Sequence, residues 1–146
     1  MYYESTRFGR FEAGADDVIV FEAGLLGLPE CRRWAILLDP ATDRIAWLQS
    51  LDRPDVAVAV VSPRQLVPNY RPGVARGELA PLALGGAEEA QVLLVVAPAE
   101  GGWSLNLKAP LVINPARRLG RQVIANGDLP VRFEVGEAAP SLKRIA

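Results

Sequence analysis

The chain has 146 residues, half of them apolar, with 16 Lys and Arg against 17 Asp and Glu and with no His. This length is enough to bury one sizeable core and predicts a single domain over residues 1–146, in which residues 136–146 are prone to fray. The absence of His excludes His-ligated metal sites and nucleophile–His catalytic pairs, and the lone Cys31 excludes an internal disulfide.

Short apolar and β-branched runs, separated by Gly, Pro, Asp and Asn, predict a mainly β domain of short antiparallel strands. The predicted strands cover residues 18–21, 34–38, 45–50, 56–61, 91–97, 103–108, 111–114, 122–125 and 131–135. Residues 56–61 and 92–96 have consecutive apolar side chains, which predicts central strands covered on both faces. Because many short strands leave exposed edges unless the sheet closes, a small barrel-like fold is preferred over an open sheet.

Two of the predicted strands alternate between apolar and polar residues, which is typical of strands with one wet face. In residues 103–108 the pattern predicts that Trp103, Leu105 and Leu107 point inward and that Ser104, Asn106 and Lys108 point outward. In residues 131–135 it places Val131, Phe133 and Val135 on one face, with Arg132 and Glu134 on the other. The polar faces are therefore candidates for contact with water or a partner.

Helix signals are few. Ser62 fits an N-cap before Pro63 at the first helical position, and Pro68 limits that helix to one or two turns. Residues 77–90 favour helix by composition, but Pro81 and the following glycine pair predict at most two short pieces.

The sequence contains no glycine-rich phosphate loop and no nucleophile elbow, so no cofactor is predicted. No apolar run is long enough to cross a membrane, and residues 1–10 lack the pattern of a secretory signal, which together predict a soluble cytosolic protein. The only dense basic cluster is formed by Arg117, Arg118 and Arg121, which is too small to predict direct nucleic-acid binding.

Four blocks in order along the chain resemble the FliW family of flagellar assembly factors. They are F-E-A-G-L-L-G-L-P-E at 21–30, W-L-Q-S at 47–50, P-D-V-A-V-A-V-V at 54–61 and L-N-L-K-A-P-L-V-I-N at 105–114, followed by Arg117 and G-R-Q-V-I at 120–124. The resemblance covers residues 8–126. The chain departs from the family pattern after Ile124, where family members commonly carry an aromatic residue and an Arg-His pair.

The resemblance implies a small β-barrel-like fold without catalytic activity or cofactor. It also implies two partners in the cytosol: flagellin, and the carbon storage regulator CsrA, which represses translation of flagellin messenger RNA. Free flagellin occupies the FliW protein, and export of flagellin frees it to bind and antagonise CsrA. We expect the isolated protein to be a monomer.

Candidate partner-binding residues are those that match the family motif and carry groups suited to contact. They are Gln49, Asn106, Lys108, Asn114, Arg117 and Arg121, with Leu25, Leu28, Tyr70 and Pro110 as further candidates. The arginines can bind carboxylates through two N–H groups. Asn106 and Asn114 fit a buried hydrogen-bonding role equally well, and the loop of residues 24–29 is either tucked onto the core or an exposed apolar recognition loop.

A second hypothesis belongs to a different functional class. In this alternative the barrel binds a small ligand or a flavin in a pocket lined by Trp47, Tyr70 and Trp103, and it carries out chemistry there. The absence of His and of phosphate-binding motifs weighs against this alternative.

Overall fold

The computed structural model describes residues 1–135, so the predicted frayed tail lies outside the described residues. The chain is mainly β, as predicted. Its strands are β1 (Tyr2–Ser5), β2 (Gly9–Glu12), β3 (Ile19–Val20), β4 (Arg33–Leu38), β5 (Ala46–Ser50), β6 (Ala57–Val61), β7 (Gln91–Ala99), β8 (Gly102–Leu105), β9 (Leu111–Asn114), β10 (Leu119–Gln122) and β11 (Phe133–Val135).

The main sheet closes on β7. One edge of β7 pairs with β6, and the other edge pairs with β9 near its start and with β8 near its end. The strand order β7-β6-β5-β4-β3-β10-β9 therefore returns to β7 and forms a ring of seven strands. Neighbours in the ring are antiparallel except for the parallel pair β3 and β10. Because the ring closes, none of its seven strands lies at the end of an open sheet, which confirms the barrel-like prediction.

Alternate residues of the ring strands fill the inside of the barrel. This inner core includes Phe21, Trp34, Leu48 and Leu111, all of which are fully buried. The rings of Phe21 and Trp34 meet edge to face, with centroids 6.4 Å apart. A Cβ at Gly120 would lie 2.4 Å from the Phe21 ring, so glycine is required where β10 crosses this aromatic side chain.

A second core covers the outer face of β5, β6, β7 and β8. Trp47, Val61, Leu94 and Leu105 are buried in this outer core. Phe8, from the turn between β1 and β2, packs against Trp47 with ring centroids 6.0 Å apart. Because β6 and β7 contribute to both cores, the prediction of two central strands covered on both faces is confirmed.

The hairpin of β1 and β2 was missed by sequence reasoning. Its strands contain aromatic and charged residues rather than an apolar or β-branched run, so they lack the pattern of a half-buried strand. Tyr3 and Phe11 stack across the hairpin with centroids 5.9 Å apart. The backbone N–H of Thr6 donates to the Pro54 carbonyl at 2.9 Å and joins the hairpin to the barrel.

Several details of the predicted strands are wrong. The strand predicted at residues 103–108 ends at Leu105, so Asn106 and Lys108 lie in the turn that follows it and not on the wet face of a strand. Ser104 was predicted to face outward but is 4% exposed, because alternation identifies the face of a residue and not whether that face is covered. Val131 was predicted to share the apolar face of a strand with Phe133 and Val135, but it precedes β11 and is 58% exposed. The strand predicted at residues 122–125 is observed earlier, at Leu119–Gln122.

The short helices lie mostly between β6 and β7. The helix α1 (Pro63–Leu66) begins after Ser62, whose hydroxyl accepts from the Arg64 N–H at 3.4 Å, as the N-cap signal predicted. Residues 77–90 were predicted to hold at most two helical pieces, but this region contains three, namely α2 (Arg76–Leu79) and the 3-10 turns Ala80–Leu82 and Ala87–Glu89. None of the helices within residues 1–135 has the length and apolar character needed to cross a membrane.

Candidate partner-binding surface

Residues 24–29 form a small hairpin whose tip faces outward. The backbones of Leu25 and Leu28 pair, with Leu25 N–H donating at 3.2 Å and Leu28 N–H donating at 2.8 Å. Leu25 is 6% exposed and packs in the inner core, whereas Leu26 is 59% exposed. Gly24 has φ +68°, and a Cβ there would lie 2.4 Å from the Leu28 carbonyl oxygen, so only glycine fits. The loop is thus anchored in the core through one leucine and presents the next one to solvent.

The segment between β8 and β9 turns on Asn106. Its Oδ1 accepts from the backbone N–H groups of Lys108 at 3.1 Å and Ala109 at 3.0 Å, which is the arrangement of an Asx turn. The Asn106 N–H donates to the Val95 carbonyl at 3.0 Å. The side-chain oxygen of Asn106 is therefore used to shape the turn.

The turn is held by the chain that follows β10. The N–H of Val123 donates to the Pro110 carbonyl at 3.0 Å, and the N–H of Ala125 donates to the Lys108 carbonyl at 2.8 Å. The Lys108 ammonium donates to the Gly127 carbonyl at 2.5 Å. Pro110 is buried, while Lys108 is half-buried and keeps its charge near the surface.

Gln122 connects the turn to the hairpin. Its Nε2 donates to the Ala109 carbonyl at 3.1 Å, and its Oε1 accepts from the Leu26 N–H at 2.8 Å. Two residues beyond Gln122, Ile124 is 46% exposed. The two hydrogen bonds of Gln122 join three segments of the chain, and we call the residues that these segments present the Leu26 surface: Leu26, Lys108, Gln122 and Ile124.

Sequence reasoning found only part of this surface. It named Lys108. In the hairpin it named Leu25 and Leu28 individually and Leu26 only as part of the loop of residues 24–29, and it placed Gln122 and Ile124 in a predicted strand without a role. An apolar residue at the tip of a glycine-flanked loop was the available signal for Leu26. The link from Gln122 spans 96 residues of sequence and has no local signal.

Gln49 is fully buried and holds the N-terminal hairpin to the barrel. Its Oε1 accepts from the Ser5 hydroxyl at 2.7 Å. Its Nε2 donates to the carbonyls of Ser50 at 3.0 Å, Val56 at 3.1 Å and Pro54 at 3.3 Å. Every polar atom of the Gln49 side chain is thus occupied inside the protein.

Asn114 and Arg121 fasten the segment that contains α2 to the barrel. Asn114 is 2% exposed, and its Nδ2 donates to the Leu82 carbonyl at 2.8 Å. Its Oδ1 is buried without a hydrogen-bond partner among residues 1–135. Arg121 donates through Nε at 3.2 Å and Nη2 at 2.9 Å to one carboxylate oxygen of Glu78. Asn114 and Arg121, which both match the family motif, therefore bond to other parts of the protein itself.

Tyr70 is buried against the turn that follows β8. Its hydroxyl donates to the Leu107 carbonyl at 2.6 Å, and burial raises the pKa of Tyr70 to about 12. Trp47 and Trp103 are buried in the same outer core, and the Trp47 Nε1–H donates to an Asp39 carboxylate oxygen at 3.0 Å. The two tryptophans proposed to line a ligand pocket are thus core residues, whereas Tyr70 also borders a surface groove.

The three clustered arginines point to different surroundings. Arg117 is exposed and makes no ion pair in the part of the chain that the structure describes. Arg118 has φ +53° and faces Asp16 at 3.8 Å, while Arg121 is paired with Glu78. The cluster seen in the sequence therefore does not form one basic patch.

The structure separates the predicted site residues into two groups. Arg117 is exposed, and four more candidates are half-buried: Leu28, Asn106, Lys108 and Arg121. The remaining candidates are buried, with contacts inside the protein: Leu25, Gln49, Tyr70, Pro110 and Asn114. Within residues 1–135, no three His, Cys, Asp or Glu side chains are grouped closely enough to hold a metal ion.

Comparison with known proteins identifies what the chain resembles. The family described as FliW protein matches residues 2–135. A flagellar assembly factor FliW from Bdellovibrio bacteriovorus is 33% identical over 135 residues, which are 90% of this chain and 77% of that protein. One from an Azoarcus species is 38% identical over 134 residues, 86% of this chain and 92% of that protein. A solved structure described as the flagellar assembly factor FliW matches with a TM-score of 0.85 at 26% identity, and the match covers 95% of this chain and 100% of that one.

Proposed function

The chain belongs to the FliW family of flagellar assembly factors, and we propose from this membership that it binds flagellin in the cytosol and antagonises CsrA. Each partner competes for the same small protein, so binding by one lowers the amount free for the other. Export of flagellin then releases the protein to CsrA, which relieves repression of flagellin messenger RNA. The protein acts through binding alone, without catalysis or a cofactor. The observation that carries the proposal is the family match over residues 2–135.

We place the partner contact at the Leu26 surface. Leu26 and Ile124 expose 59% and 46% of their surface, and the polar residues Lys108 and Gln122 belong to the same joined segments. Apolar side chains surrounded by hydrogen-bonding groups are typical of the energetically important part of a protein interface. The two hydrogen bonds of Gln122 hold this arrangement before a partner arrives, which lowers the entropy lost on binding.

Family-matched residues with contacts inside the protein position the segments of the Leu26 surface. Asn106 shapes the turn that carries Lys108. The Pro110 carbonyl accepts a hydrogen bond from the N–H of Val123, the first residue after β10. Leu25 fixes the base of the hairpin in the inner core. Arg117 remains a candidate contact because it is exposed and makes no ion pair within the described residues.

The ligand-binding alternative receives no support from the geometry. Trp47 and Trp103 are 6% and 4% exposed and fill the outer core together with Tyr70. A visible absorption spectrum of the purified protein tests this alternative, because a bound flavin absorbs in the visible range.

A pair of matched variants tests the contact surface. Leu26→Ser removes an exposed leucine from the Leu26 surface, and Leu38→Ser removes one that is 76% exposed at the end of β4. We expect Leu26→Ser to weaken calorimetric binding of flagellin, of CsrA or of both by about tenfold, with Leu38→Ser close to the unaltered protein. Equal affinities for the two variants and the unaltered protein would remove Leu26 from the interface.

A further inference from the structure

The start of β7 has one unpaired edge. Pairing between β6 and β7 ends at Val61 and Leu94, because the chain turns at Ser62 into α1. On the opposite edge, residues 91–93 pair with β9. In the part of the chain that the structure describes, no strand lies along the β6 side of residues 91–93.

A surface groove of about 510 Å³ lies beside this edge. Its lining includes Ser62 and Arg64 at the start of α1 and Arg71 of the following loop. Gln91 and Val92 of β7 also line the groove. The groove therefore combines an unpaired stretch of strand with two arginines.

The charged residues that line the groove are arginines. Arg64 and Arg71 are both exposed, and none of the described residues that line the groove is acidic. Arg71 Nη1 donates to the Tyr70 carbonyl at 3.0 Å, which leaves its other N–H groups available. Arg64 makes no ion pair within residues 1–135. The two positive charges thus face an open groove without a counter-charge among its walls.

We propose that this groove, the Arg64–Arg71 groove, binds an extended acidic segment of a partner protein. Such a segment adds a short strand to the unpaired edge at Gln91 and Val92 and places carboxylates against the two guanidinium groups. The groove shares no lining residue with the Leu26 surface, so this site is additional to the proposed function and does not rest on it.

The geometry favours a peptide over a single-stranded nucleic acid. A strand edge offers backbone N–H and C=O groups that pair with another peptide backbone. Nucleic-acid strands are usually held by aromatic rings on which bases stack. Tyr70 is the one aromatic residue among the described residues that line the groove, and it is only 9% exposed.

Fluorescence anisotropy with the full chain tests the site. The probe is a fluorescein-labelled octapeptide of alternating Val and Glu, and the comparison probes are the same peptide with Lys for Glu and an oligouridylate of equal length. The test variant is Arg64→Glu/Arg71→Glu, and the charge-matched control is Arg76→Glu/Arg132→Glu, which changes two exposed arginines outside the groove.

We expect the acidic peptide to bind the unaltered protein and the control, and to bind Arg64→Glu/Arg71→Glu about tenfold more weakly. Its binding should shift the amide resonances of Gln91 and Val92 in a ¹⁵N spectrum and should survive Leu26→Ser. The proposal is overturned if the acidic peptide does not bind, if both double variants bind it equally, or if those two resonances stay in place. Equal binding of the Lys peptide or the oligouridylate would likewise overturn the assignment to an acidic peptide.

Discussion

The side-chain oxygen of Gln122 accepts a hydrogen bond of 2.8 Å from the backbone N–H of Leu26, 96 residues earlier in the chain. The amide nitrogen of the same side chain donates to the Ala109 carbonyl at 3.1 Å. One glutamine therefore holds the exposed hairpin tip against the turn that carries Lys108. This link makes the Leu26 surface a single structural unit built from three distant segments.

Gln122→Ala removes both hydrogen bonds, and we expect the free energy of unfolding to fall by about 1 kcal/mol. The Leu26 amide should exchange with solvent faster, because the hairpin tip loses its anchor. Hydrogen exchange and chemical denaturation measure the two effects. Gln122→Glu is the control, since it keeps the oxygen that accepts from Leu26; equal exchange rates at Leu26 in both variants and the unaltered protein would contradict the anchoring role.

Gln49→Met keeps the side-chain volume but removes every hydrogen bond of the buried amide. We expect a loss of about 3 kcal/mol in the free energy of unfolding, because the Ser5 hydroxyl loses its acceptor and three backbone carbonyls lose a donor. Chemical denaturation measures this loss. The control is Gln91→Met at an exposed position, which should change stability by less than about 0.5 kcal/mol. A similar loss of unfolding free energy in the two variants would show that the hydrogen bonds of Gln49 do not stabilise the fold.

Tyr70 makes stability depend on pH in the alkaline range. Burial raises its pKa from 10.0 to about 12, so the folded protein holds this proton more tightly than the unfolded chain does. The resulting stabilisation is fully present below pH 10 and is lost as the pH rises through 12. Tyr70→Phe should flatten this dependence in denaturation curves measured across that range. An unchanged slope in Tyr70→Phe would assign the alkaline dependence to other groups.

Arg117 and Arg121 should respond differently to replacement by alanine. Arg121→Ala breaks the pair with Glu78, in which both side chains are about one-third exposed, and we expect a stability loss of about 0.5 kcal/mol. Arg117→Ala should leave stability unchanged and weaken partner binding, because this exposed guanidinium is free to contact a partner's carboxylates. Melting temperatures and calorimetric affinities distinguish the two effects. A larger fall in melting temperature for Arg117→Ala than for Arg121→Ala would contradict this assignment.

Most of the barrel could be predicted from local pattern. The runs in β6 and β7 are apolar at consecutive positions because both faces of these strands are covered, and that signal is contained in the sequence. The position of β10 was predicted too far along the chain, because Val123 and Ile124 are β-branched residues with high strand propensity. The chain there pairs instead with the turn after β8, and such pairing depends on distant residues.

The candidate surface was harder to predict because its parts are far apart in sequence. Motif matches selected Gln49 and Asn114, and both are buried hydrogen-bonding residues. A motif match does not separate residues that build the fold from residues that meet a partner. Leu26 is the reverse case: its exposure depends on a hairpin whose base is buried, and only the packed structure shows which leucine of the loop faces outward.

The most direct test is a calorimetric titration of the purified protein with flagellin and with CsrA from the same organism. The proposed function predicts that each partner binds and that saturating flagellin prevents CsrA from binding. If neither partner binds the folded protein, the proposed switch is wrong for this chain despite its membership in the family.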